Sequence, residues 1–201
     1  MIKFGVLISG GGSNLQAIID AVAAGKLDGE IALVVSSKAD AYGLTRAEQA
    51  GIPTLALCKA DYADPLAADV RIASALQAAR ADYVVMAGYM RMVREPLLKA
   101  FPNRIINLHP ALLPSFAGAH GIADAFDYGV KLTGVTVHFA NEEYDKGAII
   151  AQEAVAIAEG DTLESLEEKI HAVEHKLYPR VLQMIAQGRV AIGENGKVRI
   201  L

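Results

Sequence analysis

The chain has 201 residues, 53% of them hydrophobic and 21% charged, which suits one ordinary domain with a large core. Its formal net charge of −4, without a basic run, argues against nucleic acid as the main partner, since nothing is placed to release phosphate counterions. A single cysteine, Cys58, excludes an internal disulfide and a multi-cysteine metal centre; with no leader and no apolar run of membrane length, a cytoplasmic protein with no membrane partner is expected.

Residues 2–9 form a short apolar run that reads as a strand. Gly10, Gly11, Gly12, Ser13 and Asn14 follow, and then a helical stripe of Leu15, Ile18, Ile19 and Val22. Strand, glycine loop and helix aim backbone N–H groups at an anion, and Ser13 or Asn14 is placed to cap the helix. The dinucleotide fingerprint fails, because Leu15 stands where its third glycine belongs and the second strand, 30–37, lacks a terminal acid for a ribose. The phosphate loop of nucleotide hydrolases fails for want of Gly-Lys-Ser/Thr. A phosphate monoester site remains, beside the plainer reading of a strand–helix turn.

The alternation continues with a helix over 42–50 closed by Gly51, a third strand over 52–58, and a helix over 65–81 opened by Pro65. Cys58 ends that third apolar run and is expected to be a buried core thiol. Residues 82–87 are apolar after Asp82, as a central parallel strand should be. A short helix over 95–100 leads to a fifth strand, 104–108. Further on, 130–140 and 148–156 read as a hairpin-like pair of strands. Thr162, Glu164 and Ser165 open a long helix running to Gln187, and Asn195 with Gly196 marks a terminal two-residue hairpin. The expected fold is α/β: a Rossmann-like open, mostly parallel sheet with helices on both faces and an antiparallel C-terminal part, in one domain over 1–201.

Asn107 and His109 are two apart on the fifth strand, so both side chains leave one face near its carboxyl end. In open α/β sheets that end is where ligands bind. The connection 141–147 carries Glu142, Glu143 and Asp145, and an Asp beside His109 would favour the charged imidazole. An amide, a protonatable imidazole and a carboxylate around one point can stabilise an oxyanion and move a proton. Taken alone, Asp145 reads as a turn residue bonding its own backbone, and His138 as a hydrogen-bonded structural histidine. His109, His120 and His138 have no helical metal-ligand spacing, so no metal is expected.

Several stretches together closely resemble the phosphoribosylglycinamide formyltransferase family of folate-dependent enzymes. They are Leu7-Ile8-Ser9-Gly10-Gly11-Gly12-Ser13-Asn14-Leu15-Gln16, Ala87-Gly88-Tyr89-Met90-Arg91, and Ile106-Asn107-Leu108-His109-Pro110-Ala111-Leu112-Leu113-Pro114. Gly134-Val135-Thr136-Val137-His138-Phe139, Asp145-Lys146-Gly147 and Glu174-His175-Lys176-Leu177-Tyr178-Pro179 follow in family order. The resemblance implies that 10-formyltetrahydrofolate is the co-substrate and phosphoribosylglycinamide the acceptor, in de novo purine synthesis. A monomer or homodimer is expected. Asn107 and His109 would hold the tetrahedral oxyanion, with His109 as general acid and Asp145 relaying the proton through water. Gly12, Ser13 and Asn14 would grip the phosphate, and Glu174 the ribose. Met90, Arg91, Met92, Val93, Asn141, Glu142, Glu143, Tyr144 and Asp145 would line the folate pocket. Thr136 and His138 would support the trio from behind, and the Leu113–Pro114 peptide would be cis.

The chain departs from the family at three places. Residues 61–65 offer no arginine for the folate tail, Ala117 stands in a loop where Pro-Gly is usual, and 119–122 lack a second histidine. Formyltetrahydrofolate hydrolase shares the trio but carries an additional N-terminal domain, which a chain whose Met1 directly precedes its first strand is expected to lack. Methionyl-tRNA formyltransferase carries a C-terminal RNA-binding domain and a basic surface, neither expected in this acidic chain. A non-catalytic phosphate- or nucleotide-binding module accounts for the glycine loop but not for Asn107, His109 and Asp145 together.

Overall fold

A computed structural model describes residues 1–201. In chain order its elements are β1 (Ile2–Ile8), α1 (Ser13–Ala23), β2 (Gly29–Ser36), α2 (Tyr42–Gln49), β3 (Thr54–Ala56), α3 (Pro65–Ala78), β4 (Tyr83–Met86) and α4 (Glu95–Ala100). There follow β5 (Ile105–His109), α5 (Gly121–Tyr128), β6 (Leu132–Phe139), β7 (Ile149–Ala156), α6 (Leu163–Ala186), β8 (Val190–Ile192) and β9 (Val198–Ile200). Seven strands form one sheet in the order β3-β2-β1-β4-β5-β6-β7, and β8 pairs with β9 separately. The first five run parallel, whereas β6 and β7 extend the sheet antiparallel, as expected from the sequence. The chain moves outward from β1 to β2 and β3, then returns to place β4 on the other side of β1. That reversal opens a crevice at the carboxyl ends of β1 and β4.

Both faces of the central strands are covered, so alternate residues feed two different cores. Phe4, Val6, Ile8, Val85 and Ile106 join α1 and α6 in a cluster of 26 buried residues. Leu7, Val84, Met86 and Ile105 join α3 and α4 in a second cluster of 15. The Tyr178 side chain on α6 is fully buried, and its hydroxyl lies 3.0 Å from the carbonyls of both Met86 and Ile106. Those two carbonyls immediately precede Ala87 and Asn107, so α6 ties together the strand ends that carry the site.

Four expectations change in detail. The third strand shrinks to β3 at the sheet edge, where Leu57 takes the last core position and Cys58 turns outward. Cys58 is therefore exposed rather than buried; its N–H donates to Asp61 Oδ2 at 2.7 Å to start a 3-10 turn. Neither Ser13 nor Asn14 caps α1, because Gly12 occupies the capping position in the left-handed region (φ 73°) and both residues lie inside the helix. α5 was not anticipated, although Ile122, Ala125 and Phe126 make a helical stripe and Gly129 closes it with φ 81°. The β8–β9 turn holds three residues rather than two, since Gly193 N–H donates to the Lys197 carbonyl. The Leu113–Pro114 peptide is cis, as the resemblance implied.

Candidate active site

A cavity of about 350 Å3 opens at the carboxyl ends of β1, β4 and β5. One end is the glycine loop. A Cβ on Gly12 would come within 2.7 Å of the Gly43 Cα, so only glycine allows this approach of loop and α2. Because no side chain caps α1, the backbone N–H groups of Ser13, Asn14 and Leu15 find no acceptor in the protein. Ser13 and Asn14 line the cavity, and free donors at a helix N-terminus suit an anion. Asn14 contributes its backbone here and not its amide: its side chain is buried and donates to Glu174 Oε2 at 2.9 Å. Burial pushes the Glu174 carboxyl above its ordinary value, opposed by that bond and by the nearby charge of His171.

At the other end Asn107, His109 and Asp145 meet. Asn107 and His109 lie on one face of β5, opposite His138 and Thr136 of β6. Because β6 runs antiparallel, Phe139 ends opposite Ile106, upstream of Asn107, and the following loop must fold back to reach the trio. Asp145 sits in that loop in the left-handed region (φ 54°), which Asp tolerates, and its side chain is only 3% exposed. Its Oδ1 accepts from Asn107 Nδ2 at 3.4 Å and lies 3.6 Å from His138 Nε2; its Oδ2 lies 3.4 Å from His109 Nδ1. Oδ2 also accepts from the Gly118 N–H at 3.0 Å, so this carboxylate bonds across the fold rather than to its own turn. Burial pushes the Asp145 carboxyl up, but His138, the Gly118 N–H and the charge of His109 outweigh it and hold it below the ordinary value.

His109 is 4% exposed, and its Nε2 donates to the Phe116 carbonyl at 2.8 Å. The ring thus lies between two oxygens, that carbonyl at Nε2 and Asp145 Oδ2 at 3.4 Å from Nδ1. Phe116 itself sits at φ 53°, an unfavourable conformation for a bulky residue. Asn107 Nδ2 also approaches His138 Nε2 at 3.2 Å, while His138 Nδ1 donates to the Phe139 carbonyl at 2.9 Å. Thr136 is fully buried; its hydroxyl donates to the Ala111 carbonyl and accepts from the Leu113 N–H, bracing the turn after His109.

Gly147 ends the loop against the Phe139 carbonyl, which a Cβ would meet at 1.6 Å. Gly147→Ala is expected to push the loop off β6 and withdraw Asp145, lowering turnover on the order of 100-fold while the rest of the fold persists. Circular dichroism with a turnover assay checks this; wild-type activity would mean Asp145 is not where the chemistry occurs.

Of the residues singled out from the sequence, Gly12, Ser13, Asn14, Asn107, His109, His138, Asp145 and Glu174 line the one cavity. Met90, Arg91, Met92, Val93, Asn141, Glu143 and Tyr144 line it too, with Met90, Met92 and Tyr144 exposed at its rim. Arg91 leans its guanidinium over the Tyr62 ring, 4.1 Å from the centroid. Glu142 does not line the cavity. Asn141 Oδ1 accepts from the Glu143 N–H in a tight turn, which leaves Glu142 exposed at its outer corner. Thr136 lies behind the wall, and His120 is exposed at the start of α5. The sequence reading missed His171, which lines the cavity one turn before Glu174, and Ser9. The Ser9 hydroxyl accepts from the Met90 N–H at 2.8 Å and pairs with Ser37 beneath the glycine loop. Their only signals were helical spacing from Glu174 and a place at the end of β1.

The formyl transferase family matches residues 2–182. A phosphoribosylglycinamide formyltransferase of Haemophilus influenzae is 42% identical over 195 residues, covering 97% of this chain and 92% of that protein. The human trifunctional purine biosynthetic protein adenosine-3 is 43% identical over 196 residues, 98% of this chain. The chain spans about a fifth of the length of such trifunctional relatives, 19% in the human case. Among solved structures, glycinamide ribonucleotide transformylase 1 from Symbiobacterium toebii superposes with a TM-score of 0.97 at 50% identity, covering 100% of this chain and 94% of that one.

Proposed function

The chain belongs to the formyl transferase family, alongside its phosphoribosylglycinamide formyltransferases, and from that premise we propose that it moves the formyl group of 10-formyltetrahydrofolate onto the amine of phosphoribosylglycinamide, a step of purine biosynthesis. The observation that carries this reading is the meeting of Asn107, His109 and Asp145 in one cavity with the uncapped start of α1. A phosphate held at Gly12, Ser13 and Asn14, on the Ser13 and Asn14 N–H groups, leaves the ribose beside Glu174 and the amine pointing toward the trio. The folate enters past Met90, Arg91, Met92 and Val93 on one side and Asn141, Glu143 and Tyr144 on the other; Glu142 plays no part.

The amine lone pair attacks the formyl carbon, and the carbonyl pair moves onto oxygen. Asn107 Nδ2 and a His109 N–H stabilise that oxyanion. The Phe116 carbonyl that now accepts from His109 Nε2 stands in for such an oxygen, and gives way to it when substrates bind. The attacking nitrogen then loses a proton, which Asp145 relays through water. The oxyanion pair returns, the bond from carbon to N10 breaks, and N10 takes up the proton, releasing tetrahydrofolate.

Tetrahydrofolate release measured with and without phosphoribosylglycinamide tests the reading. Release should depend on the amine; equal rates without it would identify a hydrolase. Glu174→Gln checks the ribose contact separately. Its raised carboxyl means that ionised Glu174 weakens the fold as pH rises through the ordinary carboxylate value toward the raised one. The neutral amide removes that cost, so thermal stability at pH 7 should stay level or rise, while KM for the nucleotide should rise about tenfold for a lost charged hydrogen bond. A falling stability with unchanged KM would make Glu174 a structural residue only.

A further inference from the structure

A second groove, about 920 Å3, runs between α1 and α6 on the side of these helices away from the trio. Asn14 meets Glu174 at one end, and the Asp28 N–H donates to Gln183 at the other, so the two helices run side by side in the same direction. From Ser13 to Lys26 the groove is about 20 Å long at the helical rise. It gathers Lys26, Arg46, Lys176, Arg180 and Arg189, with Asp20 as its single acid, on a chain whose net charge is −4. The protein neutralises little of this charge. Lys26 and Lys176 meet no carboxylate, and Arg46 donates only to the Gly11 carbonyl and to Gln16; Arg189 donates to the main-chain oxygen of Leu201. Arg180 reaches Glu153 at 3.0 Å in an exposed pair, and Asp20 already accepts from Gln16. His175 Nε2, on the same wall, is buried without a hydrogen-bond partner.

We propose that this groove binds a linear chain of phosphates, inorganic polyphosphate. Cations of one sign held in a concavity repel one another and focus a field that an anion relieves. They are spread along the groove rather than gathered at a point, which fits an extended polyanion and not a single phosphate. The wall carries no Phe, Tyr or Trp, and its one ring is His175, whose Nε2 is buried, so it offers no run of rings on which successive nucleic-acid bases could stack. This reading is independent of the catalytic one, since the groove shares only Ser13 with the active-site cavity.

Titration calorimetry of the full chain with short linear polyphosphate, paired with amide-shift mapping, tests it. Shifts are expected at residues 20–28 and 176–189, with an affinity that falls steeply with salt. The double variant Lys26→Glu/Lys176→Glu should bind at least about tenfold more weakly while formyl transfer keeps its wild-type rate. Shifts confined to residues 10–14 would mean binding at the glycine loop alone and overturn the proposal. So would undiminished affinity in the double variant, tighter binding of ATP than of polyphosphate, or equal binding of poly-glutamate.

Discussion

Asp145→Asn is expected to lower formyl transfer on the order of 100-fold or more, the range for loss of a positioned acid–base group, with KM for the nucleotide little changed. The substitution is nearly isosteric, and Asn tolerates the left-handed backbone (φ 54°) as Asp does. Its side-chain oxygen can still accept from the Gly118 N–H. What disappears is the charge facing His109 Nδ1 and the second acceptor used by Asn107, so the imidazole loses its counter-ion and the proton its relay. A pH series adds a second readout. A carboxyl held below its ordinary value stabilises the fold above that value, and the benefit is lost as pH falls through the depressed one. The acid limb of thermal stability should therefore flatten in Asp145→Asn. Wild-type turnover in the variant would remove Asp145 from the mechanism.

His109→Ala should be equally damaging, costing on the order of 100-fold or more in kcat, as removal of an oxyanion donor does. The ring is almost fully buried and forms the only bridge between Asp145 and the Phe116 carbonyl, so no neighbour can take its place. Asn107→Ala should fall in the same range, because it deprives both the oxyanion and Asp145 of a donor. Groups that act as a unit are not additive. Combining His109→Ala with Asp145→Asn should therefore cost little more than either alone. Multiplying losses in the double variant, or single losses confined to KM, would show that the two side chains do not work as a pair.

Much of this site is legible in the sequence. Three glycines at 10–12 mark a tight turn or a close approach of backbone, and a period of two puts Asn107 and His109 on one face of any strand. The topology brings 141–147 to the same end of the sheet as the glycine loop and Asn107, but nothing in 141–147 says that the loop folds back across β6 to bury Asp145. Glu142 and Glu143 looked alike in the sequence; an Asx turn sent one outward and left the other on the cavity wall. Cys58 is exposed where its apolar run predicts burial, because such a run shows hydrophobicity but not where the sheet ends, and β3 is an edge. The Phe116 carbonyl and the Gly118 N–H had no signal at all, because every residue owns such groups.

By itself the sequence determined the alternation of strands and helices, the two-faced burial of the central strands, and the identity of the polar residues at the strand ends. Those follow from periodicity and residue chemistry, which are local. Only the tertiary structure decided that α1 stays uncapped toward the cavity, that one carboxylate serves Asn107 and His109 together, and that five cations share a groove. Each of these is a distance between segments remote in the chain, and packing of whole elements, not local preference, sets such distances.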